Sequence, residues 1–144
     1  MITVKEIANR KDLKKAQEIR YQVFVIGQNV PVEDDIDEYE KEARHYLAFL
    51  NNNPVGAARW RVTTNGVKLE RFAVLDEFRG RGVGSAMMEK ILADLRKDPE
   101  VRDKEIYLHA QLDAISLYRK FGFVKYGDMF DESGLMHYAM RFAR

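Results

Sequence analysis

Cysteine is absent from all 144 residues, which excludes disulfides, thiolate metal sites and a cysteine nucleophile. Histidine is scarce. His45, His109 and His137 stand far apart without the spacing of a metal site, so no metal is expected. Long apolar runs are missing too. No stretch approaches the ~20 apolar residues of a membrane span, and Met1–Glu6 lacks the basic-then-apolar pattern of a secretory leader. The expectation is a cytoplasmic protein with no membrane partner. Excess charge of one sign is also lacking. Lys and Arg number 24 against 23 Asp and Glu, and the net charge of +1 argues against non-specific nucleic-acid binding.

What is present fits a soluble globular protein, with 46% hydrophobic and 33% charged residues. The length suits one domain over 1–144, able to bury roughly two-thirds of the surface of its unfolded chain. The charge is unevenly placed. Residues 33–42 (EDDIDEYEKE) hold seven acids and one lysine, a local charge of −6 that leaves +7 for the rest. Such a run serves either as a solvated face or as a surface that attracts a cationic partner or an amine.

Periodicity places the elements. Thr3–Ile7 alternates as a strand, and Asp12 is set to cap a helix carrying Leu13, Ala16, Ile19, Val23 and Phe24 at helical spacing. Tyr46–Leu50 reads as an apolar strand ended by the turn cluster Asn51–Pro54. Val55–Val62 and Val67–Val74 flank Thr63-Thr64-Asn65-Gly66, where Asn-Gly signals a hairpin. A helix burying Val83, Met87, Ile91 and Leu95 must stop before Pro99. Glu105–Ala110 is a further strand. Asp113 is placed to cap a short helix, Ala114–Lys120, closed by Gly122, and Phe123–Tyr126 and His137–Phe142 read as the last strands. The order β-α-β-β-β-α-β-α-β-β implies an α/β (α+β) mixed sheet covered by helices.

The chemistry centres on Arg79-Gly80-Arg81-Gly82-Val83-Gly84-Ser85, between the strand ending at Val74 and the helix that follows. A glycine-rich turn opening a helix aims unpaired backbone N–H groups outward at the positive end of the helix dipole, and glycines let phosphate approach closely. Arg79 and Arg81 add formal charge. A phosphorylated ligand is therefore expected, against the alternative of a plain glycine turn. The P-loop pattern is absent, and G-x-G-x-x-G fails because the glycines fall at 80, 82 and 84.

Arg79-x-x-Gly82-x-Gly84 resembles the pyrophosphate motif of the GNAT superfamily of acyl-CoA N-acyltransferases. Ala114-Ile115-Ser116-Leu117-Tyr118-Arg119-Lys120-Phe121-Gly122-Phe123 is similar to the A-x-x-x-Y-x-x-x-G-F segment of those enzymes. The succession of elements matches the GNAT fold, a mostly antiparallel sheet flanked by helices, along essentially the whole chain. Finer likeness, in Ile19–Val25, Gln28–Pro31, Asp37, His45 and Glu132–His137, points to the small bacterial ElaA-like branch. Arg20-x-x-Val23-Phe24 is also similar to acyl-homoserine-lactone synthases, which are usually longer.

The resemblance implies acetyl-CoA as acyl donor and a primary amine as acceptor. It places the donor's pyrophosphate on the amides of Arg81 to Ser85 with Gly80 and the Arg79 and Arg81 side chains. The pantetheine arm would lie along Phe72-Ala73-Val74, with the Val74 amide near the thioester oxygen. Tyr118 would be the general acid, since a phenol of pKa ~10 can protonate a departing thiolate. Glu70 is the first candidate base, expected to share a face with Phe72 and Val74 by the period of two, or else to pair with Arg71 or Arg59. The histidines rank below it. The acidic run suggests a small cationic acceptor. A non-catalytic acyl-CoA sensor is the alternative, and the intact Tyr118 favours the enzyme. Acceptor identity, acyl length and a homodimer stay open.

Overall fold

Strands β1 (Ile2–Glu6), β2 (Arg44–Leu50), β3 (Asn53–Thr63), β4 (Gly66–Val74), β5 (Ile106–Gln111), β6 (Phe123–Glu132) and β7 (Leu135–Phe142) form one sheet, ordered β1-β2-β3-β4-β5-β7-β6. Residues 1–143 are described by the computed structural model of the chain. Every neighbouring pair of strands is antiparallel except β4 and β5. The expected mixed, mostly antiparallel sheet with helices on its faces is what forms.

Two helix layers cover it. Helix α1 (Arg10–Arg20) runs on through a wider π turn at Tyr21–Ile26, and buries Ala16, Ile19 and Val23 against Leu47, Ala57 and Ala73. On the opposite face α3 (Val83–Lys97) and the short α4 (Ile115–Lys120) pack on Tyr46, Val55, Leu69 and Leu108. Met87, Met88 and Ile91 are fully buried there, each contributing ~1.5–3 kcal/mol by leaving water. A four-residue helix, α2 (Val32–Asp35), sits in the acidic segment.

Several boundaries differ from the sequence reading. Asn9, not Asp12, caps α1, because its side-chain oxygen accepts the Asp12 backbone N–H at 2.8 Å, which puts Asp12 inside the first turn. Asp113 does not cap α4 either; it lies within a 3₁₀ turn, Leu112–Ala114, and Ala114 precedes the helix without a side-chain bond. The β2–β3 turn needs only Asn51 and Asn52, at φ 50 and 72, so Pro54 falls inside β3. Gly66 closes the next hairpin at φ 133, where a Cβ would stand 2.3 Å from the Glu105 carbonyl oxygen. Strand β6 extends to Glu132, beyond the expected Tyr126, along an exposed edge with no hydrophobic alternation to read.

Two irregularities open the sheet. The parallel pairing of β4 with β5 covers only Val67–Leu69 against Ile106–Leu108, and beyond it no ladder joins the two strands. Next to that gap, Arg59 pairs with Glu70 and Ala57 with Ala73, so Arg71 and Phe72 stand opposite Ala58 alone. Arg71 adopts φ 57 at this β-bulge. The extra residue resets the alternation. Glu70 and Ala73 face α1, whereas Phe72 and Val74 join the core under α3 and α4. The expected shared face of Glu70 with Phe72 and Val74 is thus corrected by the bulge.

Candidate active site

A cavity of about 590 Å³ lies where β4 and β5 part. Glu70, Phe72, Val74, Arg79, Gly80, Gly82, Val83, Gly84, Ser85 and Tyr118, all singled out in the sequence, line it. Ala73 and Arg81 do not. Ala73 is buried beneath α1, and the Arg81 guanidinium lies over the Phe78 ring, 5.6 Å from its centroid.

The glycine loop forms one end. Gly80 and Gly82 take φ 75 and 87, and Gly82 is the residue before α3. The Ala86 N–H makes its helical bond to Gly82 O at 3.0 Å, so the amides of Val83, Gly84 and Ser85 have no acceptor within the helix. A Cβ on Gly80 would touch nothing within 4 Å, and one on Gly82 only Ile2 at 3.9 Å. The space beside these amides is open, as a phosphate cradle requires. Gly84 serves a different purpose: its Cβ would come 3.2 Å from Leu117, so its bareness lets α3 approach α4. Lys120 Nζ donates to Ser85 Oγ at 2.7 Å and brings another cation to the loop. Arg79 is half exposed, with Asp76 3.7 Å away.

Tyr118 stands on the α3–α4 side of the gap. The Phe72 ring meets it edge to face at 5.9 Å and 87°. Burial raises the phenol's pKa above its ordinary value, with the Asp113 charge acting the same way, so it stays protonated. Among the described residues no side-chain polar atom fully removed from solvent lacks a partner. The Tyr118 hydroxyl has no protein partner there, and therefore opens onto the cavity it lines.

The α1 side is a field of paired charge. Arg20 and Arg59, 1% and 0% exposed, draw in Asp35, Asp37 and Glu40 from the acidic run. The run is therefore not one acidic surface. Three of its seven acids turn inward and are neutralised, while Glu33, Asp34, Glu38 and Glu42 stay exposed. Glu70 is held by Arg59 and Arg61 at 2.9 Å and by Lys68 at 3.3 Å. Burial pushes the Glu70 carboxyl up, but those three cations override it and keep it below the usual range. Of its two expected partners, Arg59 is present and Arg71 points elsewhere.

The sequence reading ranked the histidines low, and two of them prove to be at the cavity. His109 Nδ1 lies 2.9 Å from Glu132 Oε1, and His137 Nε2 lies 3.9 Å from Glu132 Oε2. Hydrogen bonding to His109, against burial, pushes the Glu132 carboxyl down to about 2. With that carboxylate ionised, a neutral His109 must carry its proton on Nδ1, which leaves Nε2 as a free acceptor. His137 Nδ1–H donates to the Leu135 carbonyl at 2.8 Å. His45 is structural: buried, it donates from Nε2 to the Glu40 carbonyl at 2.8 Å, and burial lowers its pKa. Two contacts bridge the cavity from the segment after α1. Gln28 and Gln111 exchange reciprocal amide bonds at 3.0 and 3.1 Å, and Ser133 Oγ donates to Asp34 at 3.1 Å.

Comparison with known proteins places the chain's fold and family. Residues 11–144 match the family model described as an acetyltransferase (GNAT) domain. The uncharacterised N-acetyltransferase YjcF of Bacillus subtilis is 38% identical over 136 residues, covering 92% of this chain and 93% of that protein. The crystal structure of Escherichia coli ElaA superposes with a TM-score of 0.86 at 29% identity, covering 99% of this chain and 100% of the other. Arabidopsis thaliana Naa50, solved with the bisubstrate analogue CoA-Ac-MVNAL, gives a TM-score of 0.73 at 26% identity over 99% of both chains.

Proposed function

The chain belongs to the GNAT acetyltransferase family, in its ElaA-like branch, and on that premise we propose that it moves an acetyl group from acetyl-CoA to a primary amine. The observation that carries this reading is the gap between β4 and β5, with the open amides of the glycine loop at one end and the Tyr118 hydroxyl facing in. The donor supplies an activated acetyl thioester. The amides of Val83, Gly84 and Ser85, with Arg79 and Lys120, would hold its pyrophosphate, and Arg81 adds charge from outside the cavity. Phe72 and Val74 would flank the pantetheine arm, with the Val74 amide donating to the thioester oxygen.

Three proton movements remain, and two residues are suited to them. An alkylammonium of pKa ~10 must lose a proton before its nitrogen can attack. His109 Nε2 is the proposed acceptor of that proton, with Glu132 orienting the ring and stabilising the imidazolium. Glu70, the first candidate in the sequence, is surrounded by three cations and is assigned instead to holding the β3–β4 charge network. As the new C–N bond forms and the C–S bond breaks, the Tyr118 O–H would give its proton to the departing sulfur, and the second proton that the attacking nitrogen must shed to become an amide would return to the Tyr118 oxygen. The acceptor is proposed to be small and cationic, drawn by Asp34 and Glu132 rather than by the whole acidic run. The activity is assigned to one domain, 1–144.

Native mass spectrometry of the purified protein, followed by free-thiol release with a panel of amines, tests the reading. A retained or added CoA species and turnover on amines are expected. Failure to bind either acetyl-CoA or CoA would overturn it.

A further inference from the structure

Arg71 stands at the bulge of β4 in the left-handed conformation, φ 57, which an arginine adopts only when its surroundings hold it there. Those surroundings are visible. Its Nη2 donates to the Asp34 carbonyl at 2.8 Å and to an Asp37 carboxylate oxygen at 3.1 Å, and its Nε donates to the Asp35 carbonyl at 3.2 Å. All three partners lie in the segment that walls the α1 side of the cavity, while the next residue, Phe72, turns to the Tyr118 side.

Neutralising that segment does not require Arg71. Asp35 keeps Arg20 at 3.1 Å, and Asp37 keeps Arg59 at 2.7 Å. Two of the three Arg71 bonds go instead to main-chain carbonyls, so they fix the path of the backbone. Arg71 also lines the cavity between the two walls. One residue thus makes the bulge that turns β4 toward the donor side and ties that bulge to the wall of the acceptor side.

We propose that Arg71 is a positioning residue: its guanidinium locks segment 34–37 to the β4 bulge and so sets where an amine meets the donor. The kinetic consequences rest on the acetyltransferase reading above, whereas the lock itself does not. Misplacing a reactant by ~1 Å can cost ~100-fold in rate, so a wall and a strand in fixed relation bear directly on turnover.

Three variants separate the possibilities. Arg71→Gly accepts the positive φ without strain and deletes the anchor; Arg71→Ala deletes the anchor and keeps the strain; Arg71→Lys keeps the charge but loses the fork. Amide hydrogen exchange over residues 32–38 needs no substrate, and it should accelerate by ~10-fold or more in the Gly and Ala variants and by less in the Lys variant. In steady state, Arg71→Gly should lower kcat and raise the acceptor KM, each by ~10–100-fold, with the acetyl-CoA KM within ~2-fold of wild type. A merely structural role would lower Tm and raise both KM values together. Unchanged exchange over 32–38, or kinetics within ~2-fold of wild type, would overturn the proposal. Absence of wild-type turnover on every amine would count against the acetyltransferase reading, and the exchange result would still decide the lock.

Discussion

His109 Nδ1 and Glu132 Oε1 lie 2.9 Å apart, joining the middle of β5 to the last residue of β6 beside the cavity. The two residues are 23 positions apart in the chain, and no local motif links them. The pairing fixes the orientation of a partly exposed ring, because an ionised partner sets which ring nitrogen carries the proton.

That relationship predicts the outcome of three substitutions. If His109 accepts the amine's proton, His109→Ala lowers kcat/KM by ~10²–10⁴-fold. Glu132, held down at about 2, stays ionised at working pH and keeps its hold on the ring. Glu132→Gln should lower kcat/KM by less than His109→Ala does. Glu70→Gln should keep turnover within ~10-fold. Full turnover in His109→Ala with a large loss in Glu70→Gln would return the role to Glu70.

Tyr118 has a complementary prediction. Its phenol is protonated at every working pH because burial raises its pKa, so it contributes no basic limb near neutrality. Tyr118→Phe keeps the ring contact with Phe72 and removes only the hydroxyl. Acetyl-CoA affinity by calorimetry should hold, and turnover should fall by ~10²–10⁴-fold. Full turnover in this variant would reduce Tyr118 to a packing residue.

The fold and the glycine-loop end of the cavity were legible because their signals are local. A glycine loop between a strand and a helix, or Tyr118 on a short helix before Gly122, can be read from spacing alone. The charged end of the cavity was less legible, for physical reasons. A single left-handed residue, Arg71, breaks the period of two, and no pattern in Leu69-Glu70-Arg71-Phe72 announces it. The acidic run reads as a surface because its partners, Arg20 and Arg59, lie about 20 residues away on other elements. His109 was visible as a residue but not as one of a pair, since its partner ends a strand whose outer face is exposed.

The buried charge network carries a stability prediction. Arg59 is fully buried and bonded to Asp37, Glu40 and Glu70, so Arg59→Ala removes the partner that the three carboxylates share and leaves each with fewer cations. A loss of about 3–5 kcal/mol is expected from urea unfolding at neutral pH. Burial alone would raise the pKa values of these acids, but their arginine partners hold all three below the ordinary range. A depressed folded pKa means stability that is present above the unfolded value and lost as pH falls through the folded one. The wild type should therefore lose stability as pH drops below ~4. Arg59→Ala should show a shallower decline, having less of this stabilisation to lose.

The last prediction concerns the phosphate cradle. Gly82 has φ 87 with open space around it, so a side chain there would strain the backbone before it met any neighbour. Gly82→Val would then mix a folding cost of ~1–3 kcal/mol with any loss of binding. The side-chain cations give a cleaner test. Arg79 is half exposed with only a 3.7 Å contact to Asp76, and Lys120 is exposed beside Ser85. The double variant Arg79→Ala, Lys120→Ala should leave Tm unchanged, since exposed pairs of this kind contribute at most ~1 kcal/mol. Acetyl-CoA affinity should fall by ~10–100-fold, because each charge-assisted hydrogen bond to phosphate is worth ~1.5–3 kcal/mol before exposure is discounted. Added salt should weaken wild-type binding and narrow the gap between the two proteins, as screening acts within ~8 Å at physiological ionic strength. Equal affinities in wild type and variant at low salt would show that the backbone amides of Val83, Gly84 and Ser85 hold the phosphate without help from these side chains.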